Sequence, residues 1–146
     1  MNNGKVEKIK IFFEKGVPPE TPQKAECAAD LGLVGDRYAK GGEKQLTAID
    51  AQCAEWMEKQ QTKGLCFARF KANIEFENMD LSQLKQGDVL VCGSAELEVS
   101  GTEKECFEQC ARVQQGMDCM LKKHAKYLRV KQSGTIAVND VTTVKL

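Results

Sequence analysis

The sequence predicts a mainly β domain, a barrel or sandwich of short strands with one main helix and short helical turns. Three observations carry that expectation. Short apolar runs alternate with polar residues, single Gly, Asn and Asp residues punctuate them, and one stretch after Asp50 carries a helix start signal. Short strands joined by such turns are the mark of closed all-β architectures, in which closure protects the strand edges.

The elements follow in order. Ile9, Ile11 and Phe13 alternate with Lys8, Lys10 and Phe12, the period of an opening strand, which Gly16 and Pro18-Pro19 end. Thr21 to Tyr38 carries mixed signals, and only a turn at Gly35-Asp36 is read there. Gln45 to Ile49 is a short strand. Asp50 is placed as N-cap of a helix from Ala51 to about Gln61, with Cys53, Trp56 and Met57 near one face and Gly64 as the stop. Phe70 to Phe76 reads as a strand, and Leu81-x-x-Leu84 as a turn into Gly87-Asp88. Val89 to Val91 is an apolar strand. After Gly93-Ser94, the residues Ala95, Leu97 and Val99 alternate with Glu96, Glu98 and Ser100, so that strand buries one face. Tyr127 to Val130, Ile136 with Val138, and Val141 to Val144 complete the set, divided by Ser133-Gly134 and Asn139-Asp140. Gly87-Asp88 and Asn139-Asp140 are read as tight turns tolerating positive φ, not as phosphate sites.

The chain has 146 residues, is 42% hydrophobic and 29% charged, and shows no linker, repeat or low-complexity stretch, which predicts one domain over residues 1–146. Twenty-one basic and 21 acidic side chains give a formal net charge of +0, without the one-signed field that nucleic acid or an anionic membrane selects. No apolar run approaches the ~20 residues needed to cross a bilayer, and residues 1–10 lack a signal-peptide core. A cytoplasmic, reducing setting is therefore expected. The seven cysteines are read as thiols, metal ligands or redox groups, not as a disulfide framework.

The residues that do not fit plain barrel building lie between Lys104 and His124, where Cys106, Cys110 and Cys119 precede the single histidine. No alternation runs through them, so a long loop with a helical turn is expected, a common place for function on a rigid scaffold. Three readings are open. The cysteines pack as small hydrophobes. Or Cys106, Cys110, Cys119 and His124 form a Cys₃His metal or thiol-redox set, although the spacing lacks the tight C-x2-C knuckle of most zinc modules. Or one thiolate is a nucleophile or sulfur carrier, favoured by Lys104, Arg112, Lys122 and Lys123 and opposed by Glu103, Glu105 and Glu108. His124, in a lysine-rich stretch, is expected to be exposed. Cys27, Cys53, Cys66 and Cys92 sit in apolar contexts and are expected to be buried and inert.

An ordered series of motifs adds to this. It runs Gly32-Leu33-Val34-Gly35-Asp36, Gln45-Leu46-Thr47-Ala48-Ile49, Arg69-Phe70-x-x-Asn73-Ile74, Asp80-Leu81-x-x-Leu84-x-x-Gly87-Asp88, Gly93-Ser94-Ala95-x-Leu97-Glu98-Val99, Lys104-Glu105-Cys106 and Cys110-Ala111. From about Lys8 to the C-terminus the chain resembles the MOSC domain, named for the C-terminal domain of molybdenum cofactor sulfurases, and in Lys104 to Cys119 its small stand-alone bacterial type. The resemblance implies a MOSC-like β-barrel and one essential cysteine after the Leu-x-Val strand, here Cys106. That cysteine would carry a persulfide sulfur or ligate molybdenum of a bound molybdopterin cofactor. Asp36, Arg37, Arg69, Asn73 and Arg112 would contact the cofactor, and Cys110 and Cys119 would be supporting thiols. A cysteine desulfurase-type sulfur donor or a cofactor biosynthesis protein would be the partner, and no pyridoxal phosphate site is expected in a chain of this length. The chain departs from small relatives at Arg37, where they often have His, and at Cys119-Met120-Leu121-Lys122, where they have Cys-x-Met-Pro.

Overall fold

The computed structural model describes residues 3–60, 72–103, 116 and 120–145. Ten strands and two α-helices are described. They are β1 (Gly4–Ile9), β2 (Lys24–Ala28), β3 (Gly32–Leu33), β4 (Leu46–Asp50), α1 (Ala51–Lys59), β5 (Ile74–Glu77), β6 (Val89–Cys92), β7 (Ala95–Glu103), α2 (Met120–His124), β8 (Ala125–Gln132), β9 (Gly134–Ala137) and β10 (Val141–Val144). A 3₁₀ turn, Leu81–Gln83, lies between β5 and β6. The mainly β barrel expected from the sequence is what forms. Seven strands close in the order β1-β10-β6-β7-β8-β4-β5, with β5 returning to β1, and β3-β2-β9 form a separate small sheet. Closure leaves the barrel without an unpaired edge.

Alternation sets which face is buried. In β7, Ala95, Leu97 and Val99 are buried while Glu96 and Glu98 are only half so. The same rule places Leu46, Ala48, Ile74, Phe76, Leu90 and Leu128 in one continuous core. Each such side chain contributes about 1.5–3 kcal/mol of burial, enough in sum to hold a barrel this size without a metal or disulfide. The pair β4 and β5 is parallel, and α1 makes the crossover that a parallel pair requires.

Two parts of the chain depart from the sequence reading. The opening strand is Gly4–Ile9 instead of Ile9 to Phe13. A register shift between Val6 and Lys8 breaks the period-two pattern, so Val6 and Ile9 both point inward. Ile11 survives only in an isolated bridge to Glu20, and Phe13 is exposed while Phe12 is buried. Thr21 to Tyr38, in which only a turn was read, contains β2 and β3. β2 pairs with the distant β9, with Lys24 opposite Ala137, while the two-residue β3 pairs with β2, with Cys27 opposite Leu33. The strand read as Phe70 to Phe76 is Ile74–Glu77 among the described residues, and Gly64 lies outside them.

The predicted turns do take positive φ: Gly87 at 91° and Asn139 at 76°. Gly93, at 58°, is the most demanding, because a Cβ there would strike the Thr135 carbonyl and come within 2.7 Å of the Asp140 carboxylate. Gly42 has a similar φ of 76° but open space around it. Gly93→Ala is therefore expected to lower the unfolding free energy by about 2 kcal/mol or more, and Gly42→Ala by about 1 kcal/mol, in urea titrations. Equal losses would show that conformation alone, and not the close packing of β9 on the β6–β7 turn, governs Gly93.

Candidate functional site

At one end of the barrel a buried carboxylate gathers three segments. Asp50 ends β4 and is fully buried. Its Oδ1 accepts the Cys53 backbone N–H at 2.8 Å, the N-cap bond expected from the sequence. Its Oδ2 accepts the Leu81 N–H at 3.0 Å and lies 2.6 Å from His124 Nδ1. With the carboxylate as acceptor, Nδ1 carries a ring hydrogen. Asp80 Oδ1 stands 3.4 Å from the same Nδ1. The Ser82 hydroxyl and then its backbone N–H hold the Asp80 carboxyl below the usual carboxylate range, and His124 acts in the same direction. His124 is 8% exposed, so the exposure expected from its lysine-rich neighbours is corrected. It closes α2 on the face that packs against α1, where Leu121 and Ala125 join Ile49 and Cys53 in a small second core.

Beside this cluster lies a cleft of about 450 Å³. Lys85, Lys122, Lys123 and Lys126 stand around it, with Ser82 and Ser100 among the other lining residues. Strand register places it. Ile49 pairs with Ala125 and Glu103 with Lys126, so the end of β7 and the start of β8 meet at the Asp50 end of β4. In sequence the segment carrying Cys106, Cys110 and Cys119 follows β7, which ends at Glu103, and precedes α2, which begins at Met120. Those three cysteines, with Arg69, Arg112 and Cys66, lie outside the described residues.

The other site residues read from the sequence sit elsewhere. Asn73 Oδ1 accepts the Thr47 N–H at 3.0 Å and its Nδ2 donates to the Lys10 carbonyl at 3.2 Å, at the opposite end of β4 from Asp50. Asp36 accepts the N–H groups of Phe12 at 2.9 Å and Tyr38 at 3.2 Å, and interacts with Asn73. Arg37 lies over the Tyr38 ring, 5.1 Å from its centroid, beside a second cleft of about 290 Å³. The structure thus brings Asp36, Arg37 and Asn73 together, and does so away from the end where β7 stops. Cys27, Cys53 and Cys92 are buried thiols, as expected, and burial pushes Cys27 up to about 12 and Cys92 to about 11. Sequence reasoning did not join Asp50, Asp80 and His124. The capping signal at Asp50 was visible, but nothing local pairs Asp50 with a histidine 74 positions away.

Asp36 gives a pH prediction. Burial raises its carboxyl above the ordinary 3.8, against the opposing bonds from Phe12, Tyr38 and Asn73 and the charge of Arg37. The folded state therefore holds this proton more tightly than the unfolded chain, and its contribution to stability falls as pH rises from 3.8 through the raised value. Urea midpoints of the wild type should fall relative to Asp36→Asn across that window. Parallel curves would contradict the assignment.

Comparison with known proteins agrees with this architecture. The family model described as MOSC domain matches residues 35–143. No curated protein matches the chain. Among solved structures, the YuaD protein from Bacillus subtilis superposes with a TM-score of 0.69 at 18% identity, covering 96% of this chain and 94% of that one. YiiM from Geobacillus stearothermophilus gives 0.62 at 18% identity, covering 97% and 75%, and YiiM from Escherichia coli 0.59 at 15%, covering 97% and 70%. At these identities the structures speak for the fold. The family match spans most of the sequence and takes in β4 through β9, and on that match the chain belongs to the MOSC domain family.

Proposed function

We propose that this chain is a sulfur-carrier or molybdenum-cofactor-binding domain in which the Cys106 thiolate carries a persulfide sulfur or ligates molybdenum. The MOSC family is typically related to the molybdenum cofactor, which supports the general class. The observation that carries the finer reading is the course of β7. It ends at Glu103 beside a cleft surrounded by lysines, and Cys106 follows closely in sequence. Neighbouring ammonium groups favour the thiolate, the form that is nucleophilic and binds metals.

As a carrier, the Cys106 thiolate attacks the outer sulfur of a donor persulfide of the cysteine desulfurase type. The donor's S–S bond breaks, the donor leaves as a thiolate, and Cys106 holds the sulfur with its proton as a persulfide. In this reading Cys110 or Cys119 attacks the inner sulfur of that persulfide, closing a disulfide with Cys106 and releasing the outer sulfur as hydrosulfide. As a cofactor site, the cationic cleft at this end of the barrel fits an anionic organic group, with Lys122 and Lys126 as its contacts. Asp36 and Asn73 fit it less well, since their polar atoms are engaged inside the fold. The cofactor, when bound, would supply the redox chemistry of molybdenum.

A second reading is favoured by one observation. Histidines that ligate metals commonly donate their other ring N–H to a carboxylate, and His124 does so to Asp50. A Cys106, Cys110, Cys119 and His124 metal or thiol-redox module would use the remaining Nε2.

The test is elemental and sulfane-sulfur analysis of purified protein, with peptide mass spectrometry after treatment with a cysteine desulfurase and cysteine. The expected result is molybdenum, or an added sulfur on Cys106 that is absent from Cys106→Ala, with Cys27 and Cys92 unmodified in the folded protein. Stoichiometric zinc lost in His124→Gln would favour the second reading, and sulfur landing first on another cysteine would overturn the first.

A further inference from the structure

Asp50 at the end of β4, Asp80 before the 3₁₀ turn and His124 at the end of α2 converge on one point. One donor atom of each lies within 4.8 Å of the other two. His124 Nδ1 stands 2.6 Å from Asp50 Oδ2 and 3.4 Å from Asp80 Oδ1. A hydrogen bond accounts for the first distance. It does not account for the second carboxylate, because a ring nitrogen carries a single hydrogen and Asp50 takes it. Asp50 is fully buried, and among the described residues no lysine or arginine pairs with it. The donors are also held in place from behind. The Cys53 and Leu81 amides fix the Asp50 carboxylate, and the Ser82 amide donates to Asp80 Oδ1 at 3.0 Å. Asp80 faces outward onto a hollow of about 480 Å³, lined also by Gln52, Glu55, Glu77, Asn78 and Gln83. No lysine, arginine or histidine is described in that lining, and none of its residues lines the lysine cleft.

We propose that Asp50, Asp80 and His124 are the three protein ligands of a site for one divalent transition-metal ion of the zinc type, entered from this hollow. The ion takes the place of the hydrogen on His124 Nδ1, and that proton passes to water. Bonds of about 2.0–2.2 Å to zinc set neighbouring donors about 3.0–3.4 Å apart. Asp80 already stands at that separation from the ring. The Asp50–His124 pair has to open by about half an ångström, which loss of the shared hydrogen permits. One imidazole nitrogen with two carboxylate oxygens suits zinc better than calcium or magnesium, which take oxygen ligands throughout. Three protein ligands leave a fourth tetrahedral position for water from the hollow. The inference goes beyond the readings above. None of these ligands is a cysteine, and the ring nitrogen used is not the one a Cys106, Cys110 and Cys119 set would take.

The experiment titrates the full chain, first treated with chelator, with zinc ion in a calorimeter. It is repeated on Cys66→Ser/Cys106→Ser/Cys110→Ser/Cys119→Ser, in which the remaining cysteines described, Cys27, Cys53 and Cys92, are buried. The expected result is one zinc ion bound per chain in both proteins, with no competition from magnesium. Asp80→Asn, made in the serine background at a partly exposed side chain, should weaken zinc binding by about tenfold or more. His124→Gln should do the same if it folds, and Asp80→Asn decides the matter if it does not. Glu77→Gln, in the same hollow but not a ligand, should leave the affinity unchanged. Binding that vanishes when the four cysteines are replaced belongs to the thiols, and overturns the proposal in favour of the cysteine module. Unchanged affinity in Asp80→Asn, or an equal loss in Glu77→Gln, overturns it as well, the latter by showing a diffuse acidic surface.

Discussion

One end of this barrel depends on one buried carboxylate. Removing a carboxylate from water costs several kcal/mol, and only donors placed within hydrogen-bond reach offset that cost. Asp50 has three such donors, the Cys53 and Leu81 amides and the His124 ring, and each belongs to a different segment. The first turn of α1, the 3₁₀ turn after β5 and the junction of α2 with β8 are thereby tied to one point. Glu103 at the end of β7 pairs with Lys126 of β8, and His124 of α2 binds Asp50 at that point.

The two ends of β4 then have different characters. At the Thr47 end, Asp36 and Asn73 spend their polar atoms on Phe12, Tyr38, Thr47 and Lys10, joining β1 and β5 to the loop before β4. These bonds complete the barrel. At the Asp50 end, positive charge faces a cavity and no described carboxylate neutralises it.

How much of this was legible in the sequence follows from the range of the interactions. Alternation in Ala95 to Val99, the N-cap at Asp50 and the positive-φ turns at Gly87 and Asn139 depend on neighbours a few residues away, and all were readable. The strand β1 was displaced because a register shift disturbs its period, and β2 was missed because its partner β9 lies near the other end of the chain, while β3 is only two residues long and pairs with β2. The same limit hid the site. His124 looked exposed among Lys122, Lys123 and Lys126, since its burial comes from Asp50 and Asp80 and not from its own neighbours. Cys106 was legible as the candidate thiol through resemblance and through its place after β7, and the register of β7 and β8 adds where that strand ends.

A double-mutant cycle on Asp50→Ala and His124→Ala, read by urea unfolding, tests most directly whether the Asp50 carboxylate organises this end of the barrel. The account predicts non-additive losses with a coupling of at least about 1 kcal/mol, as expected of a buried charge-assisted pair. Additivity within about 0.5 kcal/mol would mean that the two side chains are held independently, and would contradict it.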